Sequence, residues 1–286
     1  MSQSTPLQAA RIALGDSRTT HHWVAGERET LGHDLYEGLM AWPMWSTLGW
    51  QDIRQRYRRS VLGPVWITLS MAILVGTLGV IYGRVFHTEL KEYLPFLCVG
   101  FIVWGFISSS ANECCTAFTA SAGIIKQSKG AFSIHVLRVV WRNFIVSAHT
   151  FVIFVPVAVI FGVKPHPAML LVLPGLVLLF LNSIWLGLVI AILSTRFYDV
   201  PQIVANLLQV AFFSTPIIWQ AQALGDASLI AEINPIYHLV EVVRAPLLGR
   251  QPEPLSWIIT VAVIAVGSIA ATALFRRVSL RIVYWI

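Results

Sequence analysis

Long apolar stretches alternate with short polar ones along most of the chain, and this pattern predicts membrane-spanning helices. A helix needs about 20 predominantly apolar residues to cross the hydrocarbon core of a bilayer. Windows that approach this length cover residues 65–83, 94–117, 140–161, 168–193, 200–219 and 255–275. Because the bilayer core offers backbone groups no water, continuous apolar runs favour α-helices. We expect an all-α integral membrane protein built as a bundle of six transmembrane helices.

Residues 34–50 precede the first window and are too short and too polar to cross a membrane. They place Trp42, Trp45 and Trp50 among polar side chains. Aromatic rings of this kind prefer the headgroup region of a bilayer. The pattern therefore predicts an amphipathic N-terminal helix on the membrane surface, with a buried soluble helix as the alternative.

The segment between the last two windows, residues 220–254, is too polar to cross, yet it contains an apolar run at 236–248. Half-inserted helices are tolerated where their backbone faces protein or a watery cavity. Pro235 and Pro246 are placed to begin and end such a helix, because proline suits the first helical turn and breaks an interior one. We expect re-entrant helices on the outer side of the membrane.

Together these patterns divide the chain into four parts. They are a cytoplasmic N-terminal tail at 1–33, the interface helix with a cationic collar at 34–64, a six-span transmembrane domain at 65–275 and a cytoplasmic C-terminus at 276–286.

Composition supports a membrane protein, with 56% hydrophobic residues, 12% charged residues and a mean hydropathy of +0.71. A soluble domain is about a quarter charged. The tail up to Thr30 has no apolar core, so it does not resemble a signal peptide and is expected to be retained. Cys98, Cys114 and Cys115 have neither metal-ligand nor disulfide spacing, which predicts packing roles.

The basic residues predict the orientation, because Lys and Arg concentrate in short cytoplasmic loops. One side of the predicted bundle receives twelve of them: Arg54, Arg56, Arg58, Arg59, Lys126, Lys129, Arg138, Arg142, Arg196, Arg276, Arg277 and Arg281. The other side receives five: Arg84, Lys91, Lys164, Arg244 and Arg250. We expect a multi-pass membrane protein with both termini in the cytoplasm. The net charge of +6 reflects this topology, so nucleic acid is not an expected partner.

The sequence shows none of the common signatures of a catalytic or nucleotide site. It has no GxxxxGK[ST] phosphate loop, no HExxH metal pair and no GxSxG turn. The glycine and lysine cluster at 123–130 has the wrong order for a phosphate loop. We expect no catalytic residue, no metal site and no ATP site in this chain.

Glu113 is the one acid that falls clearly within a predicted span. An intramembrane carboxylate is costly and usually faces a cavity or a partner. It is predicted either to line a polar path or to hydrogen-bond a neighbouring helix, with catalysis a weaker alternative. Aromatic residues of three spans are further path-lining candidates, since a sugar can pack on a ring face, although each could instead face lipid or the core. These are Trp66, Tyr82, Phe101, Trp104, Phe212, Phe213 and Trp219.

Two predicted cytoplasmic loops, 121–138 and 194–200, mix charges with apolar side chains that could be exposed. Short loops of this composition suit docking into a groove of a partner protein. The alternative is contact between their basic residues and lipid headgroups.

The entry to the first span, 52–66, joins a cationic collar to a Gly-Pro break. Three further distinctive segments follow it at 122–126, 196–199 and 234–249. In this order, the four segments resemble the ABC-2 type permeases, and within them the branch that exports O-antigen, capsule and teichoic acid. The first segment is the most specific, and the resemblance extends from Leu35 to the C-terminus.

The resemblance implies a homodimer of six-helix subunits that binds two copies of a separate ATPase, which would hold ATP and Mg. It assigns motor contacts to Gly123, Lys126, Lys129, Arg196, Phe197 and Asp199, the collar to Arg54, Arg56, Tyr57, Arg58 and Arg59, and the outer re-entrant motif to Asn234, Pro235 and Tyr237. Two departures from the family are Ser128 to Phe132, where an Asn-Phe-Pro-Arg-like turn is common, and Tyr198, where a basic residue is common.

The implied function is export of a lipid-linked polysaccharide, O-antigen in particular, with no catalytic activity in this chain. Membrane lipids and the polysaccharide are the expected partners besides the ATPase, and the resemblance implies a location in the bacterial inner membrane. One alternative is an exporter of a smaller substrate such as a drug, a lipid or haem. Another is a membrane-embedded transferase, for which the acids Glu113, Asp199, Glu232 and Glu241 are scattered.

Overall fold

The computed structural model describes residues 30–58, 63, 65–127, 130–221 and 229–286. The predicted site residues Arg59 and Lys129 lie outside these residues. The helices are α1 Leu31–Met40, α2 Trp42–Tyr57, α3 Val65–Val85, α4 Leu90–Cys114, α5 Ala122–Gln127, α6 Ser133–Phe151, α7 Phe154–Phe161, α8 Val172–Arg196, α9 Val200–Ser214, α10 Leu229–Ile233, α11 Pro235–Leu247 and α12 Pro254–Trp285. Short 3-10 turns occupy Thr119–Ser121 and Pro167–Leu171.

Within the described residues, five helical stretches are long and apolar enough to cross a membrane: Val65–Val85, Leu90–Cys114, Ser133–Phe161, Pro167–Arg196 and Pro254–Trp285. They match five of the six predicted windows. The third stretch contains a break between α6 and α7, and the last continues well beyond the predicted end at residue 275. The all-helical membrane architecture is therefore confirmed.

The remaining window, 200–219, forms only the 15-residue helix α9. At about 1.5 Å per residue this helix is about 22 Å long, shorter than the roughly 30 Å hydrocarbon core. Thr215 precedes Pro216 and adopts an extended conformation, with φ of −95° and ψ of 136°, because proline disfavours a helical residue before it. A sixth full span therefore stays a prediction.

Helix α4 forms the centre of the bundle. It packs against α3, α6, α7, α8 and α11, and most of its length is buried. Cys98 and Cys114 are fully buried free thiols, and Cys115, which follows Cys114, is also buried, which agrees with packing roles. On the far side of α8, Gly267 of α12 lies against the indole of Trp185, where a Cβ atom would come within 2.3 Å of the ring. Small residues allow such close helix approach in membranes.

The predicted interface helix is two helices, α1 and α2, which both pack on α6. Ala41 separates them, and Pro43 occupies the first turn of α2. Trp42 and Trp50 are exposed, whereas Trp45 packs edge-on against Trp141 of α6 with ring centroids 5.7 Å apart. Two of the three indoles are thus free to meet a membrane surface, as an interfacial helix requires.

Asp34 fixes the start of α1 to the start of α6. Its fully buried carboxylate accepts hydrogen bonds from the backbone N–H of Phe132 at 2.7 Å and of Ser133 at 2.9 Å. A carboxylate there also interacts favourably with the helix dipole. Burial raises the pKa of Asp34, although the hydrogen bonds from Ser133 and Phe132 act against that rise.

Both described ends of the chain lie at the same end of the bundle, which we call the basic end. Lys126 Nζ of α5 donates a hydrogen bond to the backbone oxygen of Ile286 at 3.0 Å. The guanidinium of Arg196, at the end of α8, lies 5.1 Å from the ring centroid of Trp285. Arg56 of α2 reaches the C-terminal end of α4 through an ion pair with Glu113.

Candidate functional site

Glu113 lies at the basic end of α4 and joins three helices. Its Oε1 accepts from Arg56 of α2 at 2.7 Å, and its Oε2 accepts from Arg142 at 2.7 Å and Asn143 at 2.8 Å, both on α6. The side chain is 25% exposed. Both oxygens are therefore engaged in interhelical hydrogen bonds, which was one of the two leading predictions for this residue.

Asp52 of α2 extends the same set of contacts. It forms a two-point ion pair with Arg138 and accepts a further hydrogen bond from Arg142 at 2.7 Å. Burial alone would raise the pKa of Asp52, but the hydrogen bonds and charges of Arg138 and Arg142 outweigh it and hold that pKa below its usual value.

We call Asp52, Arg56, Glu113, Arg138, Arg142 and Asn143 the charge network. Three guanidiniums surround two carboxylates, so the network carries a net charge of +1. Removing one partner from a buried ion pair leaves an uncompensated charge in a poorly solvated place. The network therefore holds the interface helix α2 against α4 and α6.

The described residues of the predicted cationic collar fall into two groups, one held in the charge network and one exposed. Arg56 belongs to the charge network, and Tyr57 is half-buried beside it. Arg54 and Arg58 are exposed, and neither makes an ion pair with any described residue. The exposed pair is thus available to a ligand or a lipid headgroup, while Arg56 is held by Glu113.

Several path-lining candidates meet where α9 crosses α4. The ring centroid of Phe212 lies 5.7 Å from that of Phe101 and 5.6 Å from that of Trp104. The ring centroid of Phe213 lies 5.3 Å from that of Phe212. Trp219 donates its indole N–H to the backbone oxygen of Phe213 at 3.1 Å. Phe101 and Trp104 are buried, whereas Phe213 is 63% exposed. We call these five residues the aromatic cluster.

Two other path candidates lie apart from the aromatic cluster. Trp66 is exposed at the first turn of α3. Tyr82 stacks on Phe86 near the other end of α3, with ring centroids 5.7 Å apart.

Helix α9 also carries a polar face. Gln202, Asn206 and Gln209 follow one another at helical spacings of four and three residues, and all three are exposed. Gln202 donates to the side-chain oxygen of Asn206 at 3.1 Å. Phe213 lies four residues further along the same row, so this amide stripe leads directly to the aromatic cluster.

An amide that faced acyl chains would leave hydrogen-bonding groups unsatisfied, and polar side chains in spans usually face a protein or a watery cavity. No residue of α9 is buried within the described structure of one copy. The described residues of one copy therefore leave the amide stripe uncovered.

The residues assigned to motor contacts form one exposed surface at the basic end. Gly123 and Lys126 lie on α5, and Arg196, Phe197 and Asp199 lie at the end of α8 and just beyond it. The C-terminal residues Trp285 and Ile286 connect the two segments, through the Arg196 and Lys126 contacts described above. No local pattern of the sequence predicts that the end of α12 connects these two segments.

Asn234 joins the end of α9 to the start of α11. Its Oδ1 accepts from the backbone N–H of Ile236 at 2.9 Å and so caps α11, in which Pro235 is the first residue. Its Nδ2 donates to Thr215 Oγ1 at 2.9 Å and to the backbone oxygen of Ser214 at 3.3 Å. Tyr237 of the same motif is half-buried, and its ring lies 5.2 Å from that of His238.

Groups of three or more His, Cys, Asp or Glu side chains that could hold a metal ion do not occur in the described part of the chain. Its polar contacts instead join helices at the two ends of an apolar bundle. These features define a polytopic helical membrane protein.

Comparison with known proteins identifies the family. The model of the ABC-2 type transporter family matches residues 44–248, and the chain belongs to this family. A relative from Myxococcus xanthus, named "O-antigen export system permease protein RfbA", is 24% identical over 251 residues, which cover 84% of this chain and 92% of the relative. Two relatives of the same name from Klebsiella pneumoniae are 22% and 24% identical over 192 and 196 residues, each covering 66% of this chain and 74% of the relative.

Proposed function

We propose that the chain is the membrane-spanning subunit of an ATP-driven exporter that carries a lipid-linked polysaccharide, O-antigen in particular, across the bacterial inner membrane. The family and the names of its relatives support transport of this class. The assignment of a polysaccharide as the cargo rests on the exposed face of α9, where uncharged amides lead to aromatic rings.

Such a face suits carbohydrate because amides exchange hydrogen bonds with hydroxyl groups, while the C–H faces of a sugar pack on aromatic rings. Two copies of the chain would place their α9 faces around one polar path and remove the amide stripes from lipid. The basic end would lie in the cytoplasm, since it carries most of the Lys and Arg residues of the short loops.

The ATPase would dock at the exposed surface of Gly123, Lys126, Arg196, Phe197 and Asp199. ATP and Mg would be held by that partner. Closure of two ATPase subunits would move α5 and the end of α8, and the charge network would carry this displacement to α2 and α4. The catalytic step would thus take place outside this chain.

A vesicle assay tests the mechanism. The permease is reconstituted with and without the ATPase subunit that co-purifies with it, and lipid-linked polysaccharide is measured on the far side of the membrane. Export is expected only with the ATPase and ATP. Equal export by the permease alone would contradict the ATP-driven mechanism.

Cellular export tests the cargo. Deletion of the gene is expected to remove the surface polysaccharide. If the deletion strain kept normal surface polysaccharide and showed altered drug tolerance, the permease would instead be an exporter of a smaller substrate.

Docking is tested by an Arg196→Glu variant, which reverses one charge of the exposed surface. It is expected to lower co-purification of the ATPase at least about fivefold, because like charges at an interface cost affinity. Arg84→Glu is the matched control, because Arg84 is exposed in the last turn of α3, at the end of the bundle opposite the basic end. An equal loss with both variants would contradict docking at this surface.

A further inference from the structure

A cavity of about 610 Å³ opens at the end of the bundle opposite the basic end. It lies where four parts of the chain meet: the start of α4, the end of α7, the stretch after α9, and α11 with the turn that follows it. Its size is within the range of small-ligand sites. These connections flank long apolar helices, so the cavity lies at the depth of lipid headgroups.

Arg244 forms the floor of the cavity, and its charge is already paired within the protein. Arg244 is 1% exposed, and its guanidinium bonds Glu241 at 2.7 Å and 2.9 Å and the backbone oxygen of Pro216 at 2.6 Å. The same group lies 4.0 Å from the ring centroid of Phe96. Arg244 therefore builds the cavity and leaves ligand charge to be recognised by the rim.

The rim carries charges of both signs. Lys91, Lys164 and Arg250 are exposed cations, and Glu89 and Glu92 are exposed carboxylates. None of the five forms an ion pair with another described residue. A ligand with one anionic and one cationic group would satisfy both kinds of charge, whereas a purely anionic ligand would leave the carboxylates unpaired.

An apolar surface leads away from the cavity along α7. Phe161 lines the cavity, and Val155, Val159 and Ile160 are 61%, 77% and 74% exposed on the same helix. Gly162 ends α7 with a φ of +70°, which turns the chain into the rim beside Lys164. An acyl chain could therefore lie along α7 while its headgroup occupies the cavity.

We propose that this cavity binds the headgroup of a zwitterionic phospholipid with a primary ammonium, namely a phosphoethanolamine lipid. Its phosphate would face Lys91, Lys164 and Arg250, and its ammonium would donate hydrogen bonds to Glu89 and Glu92. A choline headgroup has no N–H to donate, and a glycerol headgroup has no cation. The rim therefore favours phosphoethanolamine over both.

Native mass spectrometry of the full chain, purified in detergent, tests this site. Phosphatidylethanolamine, phosphatidylcholine and phosphatidylglycerol with identical acyl chains are added in equal amounts, and the bound lipids are counted. Phosphatidylethanolamine is expected to be retained at least about fivefold more than either competitor, as one charge-assisted hydrogen bond allows. Equal retention of the three lipids would overturn the proposal.

Variants of the rim separate the two halves of the headgroup. Lys164→Gln should weaken binding of phosphatidylethanolamine and phosphatidylcholine alike, because both carry the phosphate. Glu92→Gln should remove only the preference for phosphatidylethanolamine. Arg84→Gln and Glu253→Gln are matched controls, since both positions are exposed at the same end and neither lines the cavity. An equal effect of the controls would overturn the proposal.

Two further additions identify the source of the ligand. Inorganic phosphate should displace little lipid, because it lacks the ammonium and the acyl chains. Displacement of the lipid by free phosphate at equal concentration, or by a neutral oligosaccharide, would overturn the lipid assignment and favour a phosphate or a polymer site.

Discussion

Glu113 shows how one carboxylate can organise the basic end of the bundle. It collects donors from α2 and α6 although it lies on α4, so its charge is shared among helices that are distant in sequence. A carboxylate in this position is stabilised only while its cationic partners remain in place. The side chain therefore favours one arrangement of the three helices over others.

Replacement of Glu113 tests this arrangement. Glu113→Gln keeps the size of the side chain but leaves Arg56 and Arg142 without their shared counter-charge. We expect a loss of up to about 3 kcal/mol and an unfolding temperature in detergent that is lower by several degrees. Glu253→Gln, at an exposed acid without an ion pair among the described residues, should leave the unfolding temperature unchanged. A shift no larger than that of this control would mean that the network does not hold the helices together.

Asp52 predicts a pH dependence of stability. Its pKa in the folded protein is below the usual value of 3.8, so folding favours the ionised form. The stabilisation is fully present above pH 3.8 and is lost as the pH falls through the lower folded pKa. The difference in unfolding temperature between the wild type and Asp52→Asn should be greatest near neutral pH and should shrink below pH 3.8. A difference that stays constant at all pH values would contradict this account.

At the scale of elements, α9 differs from the other apolar helices because it is short, has no buried residue within the described structure and is striped with amides. Helix α9 is short because Pro216 disfavours a helical conformation at Thr215, and because Asn234 donates a hydrogen bond to the backbone oxygen of Ser214 in the last turn. Its accessible polar face follows from the spacing of Gln202, Asn206 and Gln209. These features make α9 the element through which substrate contacts can be tested.

Asn206→Leu replaces a central amide of the stripe with an apolar side chain of similar size. Loss of one hydrogen bond, about 1 kcal/mol, should lower the export rate about fivefold if the amides contact the polymer. Val210→Leu on the neighbouring exposed row is the control and should export normally. Normal export by Asn206→Leu, with unchanged expression, would exclude this face as a substrate contact.

The elements that sequence analysis predicted well are those set by local pattern. The apolar windows gave five spans, and Pro235 marked the start of α11 because proline fits the first helical turn. The break after Ser214 was missed although Pro216 is a local signal for it, and the hydrogen bond from Asn234, 20 residues away, is a further contact that no local pattern predicts. The pairing of Asp52 with Arg138 spans 86 residues, and no spacing rule links such distant charges. Long-range contacts of this kind are decided by packing.

At the scale of the whole molecule, the fold places the basic loops at one end and the charged cavity at the other. The orientation of this axis in the membrane can be measured by thiol labelling, because Cys98, Cys114 and Cys115 are 0%, 0% and 5% exposed and should react slowly. Tyr198→Cys should label with an impermeant maleimide only from the cytoplasm, and Lys164→Cys only from the outside. The reverse pattern would contradict the proposed orientation, and strong labelling of the wild type would contradict the burial of the three thiols.

If two copies assemble as proposed, the amide stripe of α9 also bears on the fate of a copy that has not yet met its partner. Before assembly, three hydrogen-bonding side chains would face lipid without partners, which costs free energy. The stripe would then favour paired copies over single ones, and the assembled share of the permease would rise with the amount of the chain in the membrane.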